Sequence, residues 1–164
     1  MVMLSRSRVV GLGLALAAAG AVLYFWPRQE PGVSEAITRQ VITMARAAET
    51  KDVSGVMEGV SERFRTDSNW DKRQVRGVLT GQVLRGQWVR VFVTNLEVHE
   101  VSPSQGDFQA RFIFGRSQAE SVKDLAAESV LNAYLIEGTF EKEDDGVWRV
   151  VRAKYRSLNP TELL

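Results

Sequence analysis

An α+β domain carried behind one membrane-spanning helix is the architecture this sequence predicts. Residues 9–26 form an apolar run without a charge, and residues 34–85 repeat apolar side chains at helical spacing. Beyond Trp88 the repeat changes to the two-residue alternation of strands. Helices first and strands afterwards predict one helical layer on one face of a curved antiparallel sheet of about four strands.

The run Val9–Trp26 is eighteen residues long. As a helix it spans roughly 27 Å, close to the hydrocarbon thickness of a bilayer. Arg6 and Arg8 precede it, and Tyr24 and Trp26 lie at its far end, before Pro27. The basic bias places the N-terminus in the cytoplasm and the following domain across the inner membrane. The division is then residues 1–30 as anchor and start of the linker, and residues 31–164 as one domain. A cleaved signal peptide is the rival, since Ala17-Ala18-Ala19 and Ala19-Gly20-Ala21 fit a small-residue cleavage site. The apolar run continues past both, through Val22 to Trp26, which favours an anchor. Gly13, Ala17 and Ala21 recur every four residues, a spacing that lets two copies of a membrane helix approach closely and form a homodimer.

Ser34 can cap a first helix with an apolar face of Ile37, Val41, Met44, Ala45 and Ala48. Thr50-Lys51-Asp52 breaks the pattern. A second helix is expected from Asp52, carrying Val53, Val56, Met57, Val60 and Phe64. After the turn Asp67-Ser68-Asn69, a third helix from Lys72 to Arg85 carries Val75, Val78, Leu79, Val83 and Leu84, with Asp71 as its N-cap. The strand from Trp88 to Val101 places Phe92, Thr94, Leu96 and Val98 on one side. Phe108, Ala110, Phe112 and Phe114 alternate along its partner. Residues 118–129 fit either a short helix or a long loop over a sheet edge. Leu131–Lys142 and Val147–Arg156 are the last two strands, joined by Glu143-Asp144-Asp145-Gly146, where Asp-Gly supplies the positive φ of a tight hairpin.

Composition removes several chemistries. The chain has no cysteine, so it has no disulfide, thiolate metal site or cysteine nucleophile. One histidine cannot build a multi-histidine metal site. A net charge of +1 offers no field for nucleic acid. Gly11-Leu12-Gly13 follows no strand and is not a nucleotide loop. No metal or cofactor is expected.

The segment Ala47-Ala48-Glu49-Thr50-Lys51-Asp52-Val53-Ser54-Gly55-Val56-Met57, with Phe64 beyond it, resembles the opening helix–turn–helix of nuclear-transport-factor-two-like (SnoaL-like) domains. Asp145-Gly146-Val147-Trp148-Arg149-Val150-Val151 resembles their last hairpin. The resemblance extends over residues 34–157, with its distinctive motifs at the two ends. It implies a cone-shaped, cystatin-like α+β fold, often with a pocket between helices and concave sheet. Isomerases, cyclases, dehydratases, secretion-system scaffolds and non-catalytic binders share that fold, so the resemblance does not settle function.

Catalytic members need a buried Asp or His to take a proton and a Tyr or protonated acid to hold an oxyanion. His99 shares a side with Asn95 and Glu97 near a strand end, which reads as solvated surface. Asp67 and Asp71 flank Trp70 in a turn and read as structural. Tyr134, Glu137 and Tyr155 lie on the last two strands and are the candidates to reach a pocket. Tyr134 and Glu137 differ in parity, which assigns the tyrosines to packing and Glu137 to an exposed edge. Trp88 and Trp148 are expected to close the ends of the core. Arg152, Lys154 and Arg156 alternate on one side of the last strand, as a solvated face or as a contact for an acidic partner or anionic lipid headgroups.

The inventory points first to a non-enzymatic module on the outer face of the membrane, binding an envelope protein partner. Its layout resembles that of scaffold proteins of type IV secretion systems. The second expectation is a binder of a small apolar ligand or lipid in the cone, which a cone filled by its own side chains would exclude. The third is a SnoaL-like isomerase or cyclase, which requires a buried acid beside Tyr or His.

Overall fold

The computed structural model describes residues 31–162 of the 164. The expected span Val9–Trp26 lies outside the described residues. Within them no helix is long and apolar enough to cross a membrane.

Three helices and five strands follow one another: α1 (Val33–Glu49), α2 (Val53–Glu58), β1 (Val60–Thr66), α3 (Lys72–Arg85), β2 (Arg90–Ser102), β3 (Gln105–Gly115), β4 (Val130–Lys142) and β5 (Trp148–Ser157). The strands form one sheet in the order β1-β5-β4-β3-β2. The α+β expectation holds, with a fifth strand and one parallel pairing, β1 with β5.

α1 begins one residue before the expected Ser34 cap. Gly32 occupies the N-cap without a side-chain bond, and Val33 is already drawn into the core. Its buried stripe of Val33, Ile37, Val41 and Ala45 lies on the sheet. Asp52 caps α2 by accepting from the Gly55 amide at 2.9 Å.

The second helix does not reach Phe64. It stops at Glu58, and Val60–Thr66 becomes an edge strand whose Val60 lies opposite Val150. Val60 and Phe64 are buried in the core all the same. A four-residue spacing suits one face of a helix and one face of a strand equally, so these two positions did not discriminate. Asp71 caps α3 as expected, in a reciprocal capping box with Gln74.

β2 contains a bulge. Thr94 pairs with Arg111 but Glu97 with Gln109, and Asn95 adopts φ 50°. The extra residue reverses the parity of the strand. Phe92 therefore faces away from the helices, while Val93, Leu96 and Val98 face them. The expected single row of Phe92, Thr94, Leu96 and Val98 is split at that point. The β4–β5 hairpin turns as predicted on Gly146, at φ 79°.

The main core lies between helices and sheet, with Ile37, Met57, Phe108 and Phe140 among its most buried members. A second cluster of Phe92, Ile113, Ala133 and Leu158 sits on the opposite sheet face. Ala119, Val122 and Leu125 cover it, from a loop with two 3-10 turns, Val122–Asp124 and Ala127–Ser129. The segment left open between helix and loop is thus a loop, and it lies over the face of the sheet. The turn Pro160–Glu162 is fastened at Glu162, whose carboxylate accepts from Arg156 and whose carbonyl accepts from Arg111.

Candidate functional site

α3 borders apolar space over the sheet without filling it. None of its residues is fully buried, although Val75 and Leu79 meet the core. Three spaces of about 250, 260 and 180 Å³ adjoin it, and all three are lined by Val75 and Ile136. The first opens toward Trp88, Phe114 and Tyr134, and the third toward Phe64, Trp70 and Ala153. The second lies deeper, against Val41, Met57 and Phe112. Among the described residues lining the first two there is no charged side chain; their polar members are Gln82, Asn132, Tyr134 and Tyr155. Lys154 lines the third.

An aromatic row forms the wall of the cleft. Trp88 meets Phe114 edge-on at 5.3 Å, Phe114 meets Tyr134 at 6.1 Å, and Tyr134 meets Tyr155 at 6.1 Å. Such edge-to-face contacts hold rings at defined angles and leave faces free for a guest. The Trp88 indole N–H donates to the Ala48 carbonyl at 3.0 Å, fixing the ring beneath Lys51. Trp88 is buried, and Trp148 is half-buried against the main core cluster.

The structure unites two of the three pocket candidates. Tyr134 and Tyr155 both line the cleft, Tyr155 at its rim with 59 % exposure. Glu137 points to the other sheet face, where it pairs with Lys154 at 2.9 Å. It stands on a central strand and not at the exposed edge expected for it. Sequence reasoning placed Phe114 in a strand and Val75, Val78 and Leu79 in a helix, but it missed Gln82 and Asn132 as lining. No periodicity marks them, because one comes from an exposed helix face and the other from a strand end.

The remaining ionisable candidates gather on the outer sheet face. His99, Asp107, Thr139 and Arg152 form one row across four strands, and Glu97, Gln109, Glu137 and Lys154 form the next. With Asp67 they line a shallow groove of about 470 Å³. Thr139 donates to Asp107 at 2.7 Å. The Glu137 carboxylate, through its hydrogen bond and charge, holds the Lys154 ammonium above its ordinary pKa. Of Arg152, Lys154 and Arg156 on β5, Lys154 pairs with Glu137 and Arg156 with Glu162, while Arg152 forms no ion pair among the described residues. Asp71 serves its helix cap.

A polar clamp ties β1 to the last hairpin. Ser61, fully buried, donates to Glu143 at 2.6 Å. Arg149 donates to Glu143 at 2.6 Å, bridges to Asp145 at 2.8 Å and reaches the Glu58 carbonyl at 3.1 Å. The Ser61 hydroxyl, and after it Arg149, hold the Glu143 carboxyl below its ordinary value against the opposing effect of burial. Arg149, joined by the Val147 amide, does the same for Asp145. None of the clamp's own residues lines the cleft, although their neighbours Met57, Val60 and Val150 do.

No protein-family model matches the chain. No curated protein matches it either. Solved structures of like shape do. A cystatin-like protein of unknown function from Nostoc punctiforme superposes with a TM-score of 0.56 at 10 % identity, over 75 % of this chain and 89 % of that one. An NTF-2-like protein of unknown function from Shewanella oneidensis gives 0.57 at 12 %, over 74 % and 96 %. The fold is cystatin-like. A ketosteroid isomerase-like protein from Erwinia carotovora atroseptica shares it, with a TM-score of 0.56 at 16 % identity over 77 % of this chain and 96 % of that one. At these identities the cystatin-like likeness is one of shape. The groups that line this chain's own cleft must carry any functional argument.

Proposed function

We propose that this domain is a non-catalytic binding module that takes an uncharged, largely apolar ligand into the cleft beneath α3. The observation that carries the reading is the contrast between the two sheet faces. The cleft is roomy and lined by aromatic and aliphatic side chains, and Asp67, His99 and Glu137 line the outer groove instead. General acid–base catalysis needs a titrating group within hydrogen-bond reach of the substrate. In the two larger spaces of this cleft the polar members are two amides and two tyrosines, which can orient a guest by hydrogen bonds. The anchor Val9–Trp26 would hold the module on the extracytoplasmic side of the inner membrane.

Native mass spectrometry of the full chain purified from its own membranes tests the proposal. A bound small molecule of defined mass is expected, and it should be lost in Leu79→Trp with the circular dichroism spectrum unchanged. A chain without cargo, or cargo retained by the cleft-filling variant, refutes it. Protease should degrade the domain only after the outer layer is permeabilised; degradation from the cytoplasmic side would refute the topology.

The scaffold reading has a footing of its own in the open outer face, where Arg152 has no ion-pair partner among the described residues. Near-stoichiometric envelope proteins crosslinked to wild type, and lost in Arg152→Glu, would favour it over the ligand.

A further inference from the structure

We infer that α3 is a hinged lid whose opening admits the guest to the cleft, with Gly77 and Gly81 setting how readily it opens. The inference rests on the ligand-binding proposal for the gating role, and on the helix itself for the opening.

Four observations carry it. First, α3 crosses apolar space that it does not fill, with the cavities of about 250 and 180 Å³ both meeting it at Val75 and Val78. Second, none of its apolar residues is fully buried: Val75 and Leu79 are partly buried against the core, while Val78 is 45 % exposed and Leu84 82 %. Packing normally supplies most of a helix's stability, and here little is available.

Third, two glycines stand inside the helix where no close approach calls for them. A Cβ at Gly77 would meet nothing within 4 Å, and at Gly81 only the Arg85 guanidinium at 3.6 Å. Each glycine in a helix interior lowers the helical equilibrium about four- to fivefold relative to alanine.

Fourth, polar contacts hold the helix at its ends. At the N-terminus these are the Asp71–Gln74 capping box and the Lys72–Glu62 pair at 2.7 Å. At the C-terminus the Lys51 ammonium donates to the Gly86 carbonyl at 3.0 Å and lies over Trp88. A segment fixed at its ends and loosely packed between them can open without unfolding the sheet.

Hydrogen–deuterium exchange of the full chain tests the opening. Amides of α3 should exchange at least ~100-fold faster than those of β3 and β4, as a local opening and not a global one. Gly77→Ala with Gly81→Ala should slow them by roughly 20-fold. Lys51→Met, which removes the C-terminal clamp, should speed them. Exchange of α3 at the rate of the central strands would overturn the lid. The gating role is read from the chase of N-phenyl-1-naphthylamine out of the protein, followed by native mass spectrometry. Its release should slow in the double alanine variant and quicken in Lys51→Met. Release rates indifferent to both changes would overturn the gate. If the probe never binds, the ligand proposal fails and the gate with it, while the exchange data still decide whether the helix opens locally.

Discussion

Replacing Ser61 with alanine isolates the clamp between the edge strand and the last hairpin. Ser61 is 0 % exposed, its hydroxyl donates to the Glu143 carboxylate at 2.6 Å, and it accepts from the Arg63 amide at 3.1 Å. A hydrogen bond to a charged group contributes about 1.5–3 kcal/mol. The Glu143 side chain is 23 % exposed and keeps Arg149, so water and the guanidinium compensate in part. The expected loss is therefore about 2 kcal/mol, or roughly 8 °C in Tm for a domain of this size. Urea unfolding followed by tryptophan fluorescence reads it. The pH dependence separates this cause from simple loss of packing. Because the bond favours ionised Glu143, its contribution is present above the ordinary carboxylate value and lost as pH falls through the lowered folded value. The variant should thus lose more stability at about pH 7 than at about pH 3. A loss below about 0.5 kcal/mol, or equal losses at both pH values, would refute the charge-assisted bond as the source.

Acid should destabilise the wild type in the same window, since Glu143, Asp145 and Glu162 all have lowered carboxyl values. Urea midpoints should hold steady above the ordinary carboxylate range and fall below about pH 4. Lys154 has the opposite sign: its raised value contributes stability that is lost only as pH climbs beyond the ordinary lysine range, so Lys154→Met should flatten any alkaline decline. Gly138→Ala should cost about 1–3 kcal/mol in urea unfolding, because the new methyl would meet the Arg152 carbonyl and come within 2.9 Å of the Phe108 ring. Phe140→Ala removes a ring that is 1 % exposed and packs on Phe108 at 5.1 Å. A loss of about 3–5 kcal/mol is expected, and thermal denaturation should show it.

Where one local signal dictated structure, the sequence was legible. Asp52 and Asp71 announced their helices because a short acceptor before an apolar repeat has few other uses. Asp145-Gly146 announced its hairpin because few residues tolerate the backbone it needs. Strand β1 escaped because Val60 and Phe64 satisfy two periods at once, and only the parallel partner β5 decides between them. The bulge at Asn95 escaped because Phe92, Thr94, Leu96 and Val98 read as one unbroken alternation, so reversed parity became visible only with β3 alongside. Of the candidate site, parity correctly set Glu137 apart from Tyr134, but it assigned both tyrosines to packing, whereas they line the cleft and Tyr155 stands exposed at its rim. The cleft itself was not legible. It is empty space, set by how far α3 stands from the sheet, and no residue type encodes that distance.

The segregation of charge bears directly on what chemistry the fold can host here. A carboxylate moved from the outer groove into the cleft would leave water for surroundings made of Val75, Leu79, Phe114 and Ile136, with no cation among the lining of the two larger spaces. Desolvation would push its pKa up and keep it neutral, which is how a general acid or a poised base is made. A guest there meets mostly rings and methyls, beside the hydrogen-bonding side chains of Gln82, Asn132, Tyr134 and Tyr155. Its apolar contacts act alike on ground state and transition state, so they lower a dissociation constant and leave a barrier unchanged. The binding proposal rests on that lining, and any turnover there would have to use the hydroxyls of Tyr134 and Tyr155 or a group that the guest brings.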